Sequence, residues 1–117
     1  MKIQITFEGH SINIELNNSS TSKAFYEQLP LNAKMEDYAS NEKIFYPPEK
    51  LSTLGTPKGY EPKLGDVAYY SPWGNVAVFY KNFSYSDGLI KMGEIISGHE
   101  FLKKLNGTQV RIEKLKN

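Results

Sequence analysis

Cysteine is absent from this chain, histidine occurs twice and arginine once. Without cysteine there is no disulfide, no thiolate nucleophile and no thiolate metal site, a composition compatible with a reducing compartment. His10 sits between two alternating runs and His99 near a helix start, with no His-x-His pair. Both are therefore expected to be surface side chains rather than metal ligands. Thirteen of the 14 basic residues are lysine, which leaves only Arg111 for forked recognition of carboxylate or phosphate. The basic residues are spread along the chain and nearly balanced by 13 acidic ones, for a net charge of +1. A nucleic-acid partner needs a basic patch, so none is expected. Long apolar runs are missing too. Residues 1–8 alternate and charge returns at Glu8, so neither a secretory leader nor a membrane span is expected and the chain reads as cytoplasmic. There is no Gly-x-Ser-x-Gly elbow, and Gly55, Gly59 and Gly65 lack the Gly-Lys-Ser/Thr ending of a phosphate loop. No cofactor is implied.

What is present is β-structure. The 117 residues fit one domain, and a chain of this size buries roughly 65% of its unfolded surface around one core. Residues 2–8 and 11–16 place Ile3, Ile5 and Phe7, then Ile12, Ile14 and Leu16, on single faces around a link containing Gly9, which predicts a hairpin. Residues 17–21 form a polar turn able to cap a helix over 22–29, with Phe25 and Leu29 on one face and Pro30 ending it. Strands follow over 31–36 and 43–46, the second stopped by Pro47 and Pro48. Residues 49–64 have no sustained period and read as a long ordered loop, with room for a short strand at 50–54.

Residues 65–80 dominate the chain: two apolar strands, 67–70 and 75–80, around Ser71-Pro72-Trp73-Gly74, which matches a turn opening at Ser71. A strand over 89–96 is interrupted by Gly93, a bulge candidate. Ser97 and Glu100 have capping-box spacing ahead of a short helix, and residues 108–115 give the last strand. About eight short strands and two short helices predict an all-β barrel or sandwich.

Aromatic residues crowd the central third, and the only tryptophan, Trp73, lies there. Alternation puts Val67 and Tyr69 on one face with Ala68 and Tyr70 on the other; in the next strand it separates Val76, Val78 and Tyr80 from Ala77 and Phe79. One face fills a barrel, and the other has aromatic rings to spare for a groove beneath the 49–64 loop. The candidate groove residues are Tyr46, Lys50, Tyr69, Tyr70, Trp73 and Phe79.

The run Leu51-Ser52-Thr53, then Gly65 to Asn75, Phe79-Tyr80 and Gly88 to Ile95, resembles the small bacterial and archaeal cyclophilin-like proteins. Leu29-Pro30-Leu31 and the helix start at Ser97-Gly98 fit the same resemblance, which spans nearly the whole chain. It implies a closed cyclophilin-like barrel of about eight strands with two helices capping its ends. Cyclophilin isomerases carry a Phe-His-Arg strand motif, whose arginine polarises the prolyl amide, and a Gln-Phe-Phe motif. Here Lys43 to Tyr46 has no arginine nearby, and Val76 to Phe79 has no glutamine. Lys50 could supply charge but not the planar fork. The expectation is a non-catalytic module for a small molecule or peptide, without appreciable prolyl isomerase activity. The alternatives are an enzyme of another type, using Asp66, Tyr70 or Lys50, and a protein-interaction domain with an exposed aromatic patch.

Overall fold

The alternating runs at the start of the chain become a hairpin in the computed structural model, which describes residues 1–116. β1 (Lys2–Phe7) and β2 (His10–Leu16) pair antiparallel, with Ile3 opposite Ile14 and Ile5 opposite Ile12, all four buried. α1 (Ser20–Glu27) starts two residues earlier than the periodicity suggests, because Ser19 Oγ accepts the Ser22 N–H at 3.1 Å and satisfies one of the free donors of the first turn. Its Phe25 is fully buried and meets the Phe45 ring at 5.8 Å.

The remaining strands are β3 (Leu31–Tyr38), β4 (Glu42–Phe45), β5 (Gly59–Tyr60), β6 (Asp66–Tyr70), β7 (Asn75–Phe79), β8 (Ser86–Asp87), β9 (Leu89–Ser97) and β10 (Thr108–Leu115). Six of these and the β1–β2 hairpin close an eight-stranded antiparallel barrel in the order β1-β10-β3-β4-β7-β6-β9-β2, with a short 3₁₀ helix at His99–Lys104. This is the all-β architecture of eight barrel strands and two short helices that the sequence predicts. Closure leaves none of the eight strands with an unpaired edge. Val67, Tyr69, Val76 and Val78 point inward and join Ile3, Ile5, Ile112 and Met35 in the barrel core. Each fully buried aliphatic side chain there contributes roughly 1.5–3 kcal/mol relative to exposure.

Four local expectations are corrected. Residues 50–54 form no strand; the 49–64 loop contributes β5 instead, which pairs with β8 as a two-stranded ribbon outside the barrel. The turn between β6 and β7 opens one residue earlier than expected, since the Tyr70 carbonyl accepts from both the Trp73 and Gly74 N–H groups. The Ser97–Glu100 capping box does not form. Gly98 takes the cap position with φ 91°, and Ser97 Oγ is engaged by Asn13 Nδ2 across the β2–β9 junction. β9 has two irregularities: Met92, the extra residue between the pairs Val67–Gly93 and Ala68–Lys91, next to the expected Gly93, and Ile96, between Asn13–Ser97 and Ile14–Ile95.

Gly93 has another role. A Cβ there would overlap the Glu15 carbonyl oxygen of β2, so the absence of a side chain lets the two backbones approach. Gly93→Ala is expected to destabilise the protein by about 2–4 kcal/mol through forced displacement at this junction. Urea unfolding measures it; a loss below about 0.5 kcal/mol, the size of an ordinary surface substitution, contradicts the assignment.

Candidate ligand groove

The outer face of β4, β7, β6 and β9 carries a second, smaller apolar cluster: Ala68, Ala77, Phe79 and Leu89, flanked by Ile44, Tyr60 and Tyr70. Strand pairing arranges it in rows. Tyr38, Glu42 and Phe79 lie side by side on β3, β4 and β7. Asn75, Tyr70 and Leu89 lie side by side on β7, β6 and β9. About 13 Å of strand separates the rows, with Ala77 between them, and a methyl group among large neighbours leaves a depression. The result is a cavity of about 210 Å³ floored by Ala77 and walled by Phe79, Leu89, Tyr70 and Trp73, with Phe83 added by the loop after β7 and Ser86 by β8.

Trp73 projects from the β6–β7 turn. Its ring meets Tyr70 at 5.4 Å and Tyr38 at 5.3 Å, both edge-to-face, with interplanar angles of 79° and 83°. Trp73 is 50% exposed and Tyr38 41%, so these rings wall a surface recess rather than fill a core. The β3–β4 turn closes one end through Ala39 and Asn41. Ala39 and Ser40 hold φ values of 55° and 53°, a conformation unfavourable for residues with a Cβ. The Asp37 carboxylate helps to fix it by accepting the Ser40 N–H at 3.1 Å.

The polar groups are unequal. Along β4, Lys43 points inward and Glu42 outward. Lys43 is nearly buried, with Nζ 3.1 Å from Asp37 Oδ1 and 5.1 Å from the centre of the Tyr80 ring. The Tyr80 hydroxyl donates to the same Asp37 oxygen at 2.5 Å. That hydrogen bond, with Lys43 assisting against burial, holds the Asp37 carboxyl below the usual range, while burial and then Asp37 push the Tyr80 hydroxyl up to about 12. Glu42 has no cation within 4 Å and no hydrogen-bond partner among the described residues. Burial, reinforced by the negative Asp37, raises its carboxyl to about 7. Asn75 is 2% exposed, and its Oδ1 is buried without a partner, a costly state for an amide oxygen.

Of the six residues picked from sequence, the groove unites Tyr70, Trp73 and Phe79. Tyr69 belongs to the barrel core, 2% exposed, where its hydroxyl oxygen accepts the Leu51 N–H at 3.2 Å. Tyr46 follows β4 as an exposed side chain, and Lys50 is exposed in the next loop; neither lines the groove. The groove is also not beneath the 49–64 loop, whose Tyr60 packs beside it over the outer cluster. Asp66 serves that loop, accepting from the Tyr60 hydroxyl at 3.2 Å and the Lys63 N–H at 3.0 Å. Arg111 lies on β10, its Nε 3.4 Å from Glu113. Sequence reading missed Tyr38, Glu42 and Asn75. Extending β4 by one residue would have put Glu42 on the same face as Ile44.

Among the described residues no three of His, Asp and Glu gather as a metal-ligand set, and no helix is long and apolar enough to cross a membrane. His10 stacks on Phe101 at 4.3 Å.

Trp73→Ala is expected to cost less than about 1.5 kcal/mol in thermal unfolding, against the 3–5 kcal/mol of a core aromatic. Tyr69→Phe should cost about 1–3 kcal/mol, because the buried Leu51 N–H loses its acceptor. The reverse ranking would exchange the two roles. The raised Glu42 carboxyl means that the folded protein holds a proton which the unfolded chain releases near pH 4.5. Its contribution to stability is therefore present at low pH and lost as pH rises from about 4.5 through about 7. Glu42→Gln should match the wild type at pH 4 and exceed it at pH 8 by on the order of 1–3 kcal/mol. Equal stability of the two proteins at pH 8 would refute the shift.

The comparisons agree with this geometry. The profile of the Cyclophilin-like family matches residues 5–113. The solution structure of a hypothetical protein from Archaeoglobus fulgidus is similar over 98% of this chain and 95% of that one, with a TM-score of 0.75 at 19% identity, a likeness of fold. A search of curated proteins finds no match. With 109 consecutive residues matched and the barrel closed as described, the chain belongs to the cyclophilin-like family.

Proposed function

We propose that this cyclophilin-like protein is a binding module whose groove, between Tyr38, Tyr70 and Trp73, takes a small ligand or a short peptide segment. The observation that carries the reading is the recess itself, in which Tyr38, Tyr70 and Trp73 stand around the half-buried Glu42 carboxylate. An apolar enclosure with a few placed polar groups is the usual make-up of a ligand site. The volume of about 210 Å³ is below the roughly 300–1,000 Å³ of pockets for drug-sized molecules, so the occupant is small or inserts one side chain.

Glu42 favours a second reading. A carboxyl that titrates near neutrality in a recess is suited to general acid–base work. In that case an enzyme would act in the same groove, with Glu42 as the base in place of Asp66 or Lys50. A turnover that titrates near pH 7 and vanishes in Glu42→Gln would replace the binding-only reading.

The test is amide and indole NMR mapping with a mixed set of small fragments and short peptides. Saturable shifts are expected at Tyr38, Glu42, Tyr70, Trp73, Asn75 and Phe83. Shifts centred instead on the recess between Leu64 and His99–Lys103, or no saturable shift from any probe, would overturn the assignment.

A further inference from the structure

The charge pattern of the groove narrows the ligand class, and the argument rests on the binding reading above. Glu42 is a half-buried carboxylate whose strand neighbour, Lys43, is turned to the opposite face and already held by Asp37. No other cation lies within 4 Å of it among the described residues. Asn75, the other polar side chain at the wall, keeps its Oδ1 buried out of reach of the groove. Tyr38 and Tyr70 meet the Trp73 ring edge-to-face, and all three residues line the recess beside Glu42. A carboxylate among aromatic side chains attracts a positively charged donor and does not suit an anion.

We propose that the groove binds a small organic ammonium ion carrying at least one N–H: the aromatic side chains pack against the alkyl carbons beside the nitrogen, and Glu42 supplies the counter-charge and accepts the N–H. A free small molecule fits better than a macromolecule, because the recess is compact and closed at one end by the Ala39–Asn41 turn. Association needs no step other than binding. Where Glu42 starts protonated, a cation entering beside it displaces that proton. The groups that face Glu42 across the ladder are Tyr38 on β3 and Phe79 on β7, with Asp37 and Tyr80 near enough to act on or feel its charge. Asp37 and Tyr80 are already hydrogen-bonded to each other, so Glu42 is the group that titrates with binding.

Trp73, the only tryptophan, gives a direct fluorescence readout. Full-length protein would be titrated with n-butylammonium, n-butanol, butyrate, tetramethylammonium and a lysine-bearing peptide. Saturation by n-butylammonium is expected, at least tenfold tighter than by n-butanol, with no response to butyrate. Affinity should rise between pH 5.5 and pH 8, and the rise should disappear in Glu42→Gln, which should also bind at least tenfold more weakly at pH 8 with no loss of melting temperature. Tetramethylammonium, which has no N–H to donate to Glu42, should bind at least tenfold more weakly than n-butylammonium; equal binding would overturn the N–H requirement. If n-butanol binds within twofold of n-butylammonium, the ammonium assignment fails and the groove remains an apolar site. If the peptide binds more than tenfold tighter than the free amine, the small-molecule assignment fails. If nothing saturates, this inference and the binding reading fall together.

Discussion

The alternation of side chains in β4, β6 and β7 is the constraint on which the rest depends. Inside a closed barrel one face of each strand must fill the core, and here Phe45, Val67, Tyr69, Val76 and Val78 do so. The opposite face would be solvated in an ordinary antiparallel sheet. In β7 it is not, since all five residues from Asn75 to Phe79 are buried. The ribbon of β5 and β8, with the loops that carry it, shields the outer face and creates the second cluster around Ala68 and Ala77. The two alanines are too short to fill the space between strand and cover, and the uncovered part of that space is the groove.

The same alternation gives two adjacent charged residues opposite surroundings. Lys43 enters the end of the barrel, where Asp37 and the Tyr80 ring offset the cost of burying an ammonium. Glu42, one residue earlier, is left with Phe79 and Tyr38 as cross-strand neighbours. The groove's electrostatic character comes from this asymmetry, and exchanging the two residues would remove it without changing net charge.

The barrel was largely legible because its signals are local. The Ile3–Ile5 and Ile12–Ile14 alternation, the separation of Tyr69 from Tyr70 by face, and the strand over 108–115 all follow from a period of two. The groove was half legible. Tyr70, Trp73 and Phe79 announce themselves as aromatics in a single stretch. Tyr38, Glu42 and Asn75 join them through pairing between strands far apart in sequence, and no local pattern reports which strands will be neighbours. Tyr46 enters as an aromatic and Lys50 as a charge, but the chain's exit from β4 carries both away from the groove. Alternation separates Tyr69 from Tyr70 but does not say which of the two faces the core, and both remain groove candidates until strand pairing decides. The failed capping box at Ser97 has a similar origin, since a tertiary partner, Asn13, claims the hydroxyl that the local motif would use.

The β5–β8 ribbon lies outside the barrel ladder, yet its Ser86 and the nearby Phe83 form part of the groove wall. The loop that supplies β5 is tied to α1, where Ser20 and Thr21 hydroxyls donate to the Leu54 and Ser52 carbonyls. The wall thus hangs from a covering outside the barrel ladder, fixed to β6 where Tyr60 and Lys63 donate to Asp66 and Leu51 donates to Tyr69. Two lineages could keep an identical barrel and diverge in what they hold by changing the length or sequence of residues 49–64 and 81–88 alone. Ligand preference in such a fold is a heritable property of its wrapping, free to vary at a different pace from the barrel that supports it.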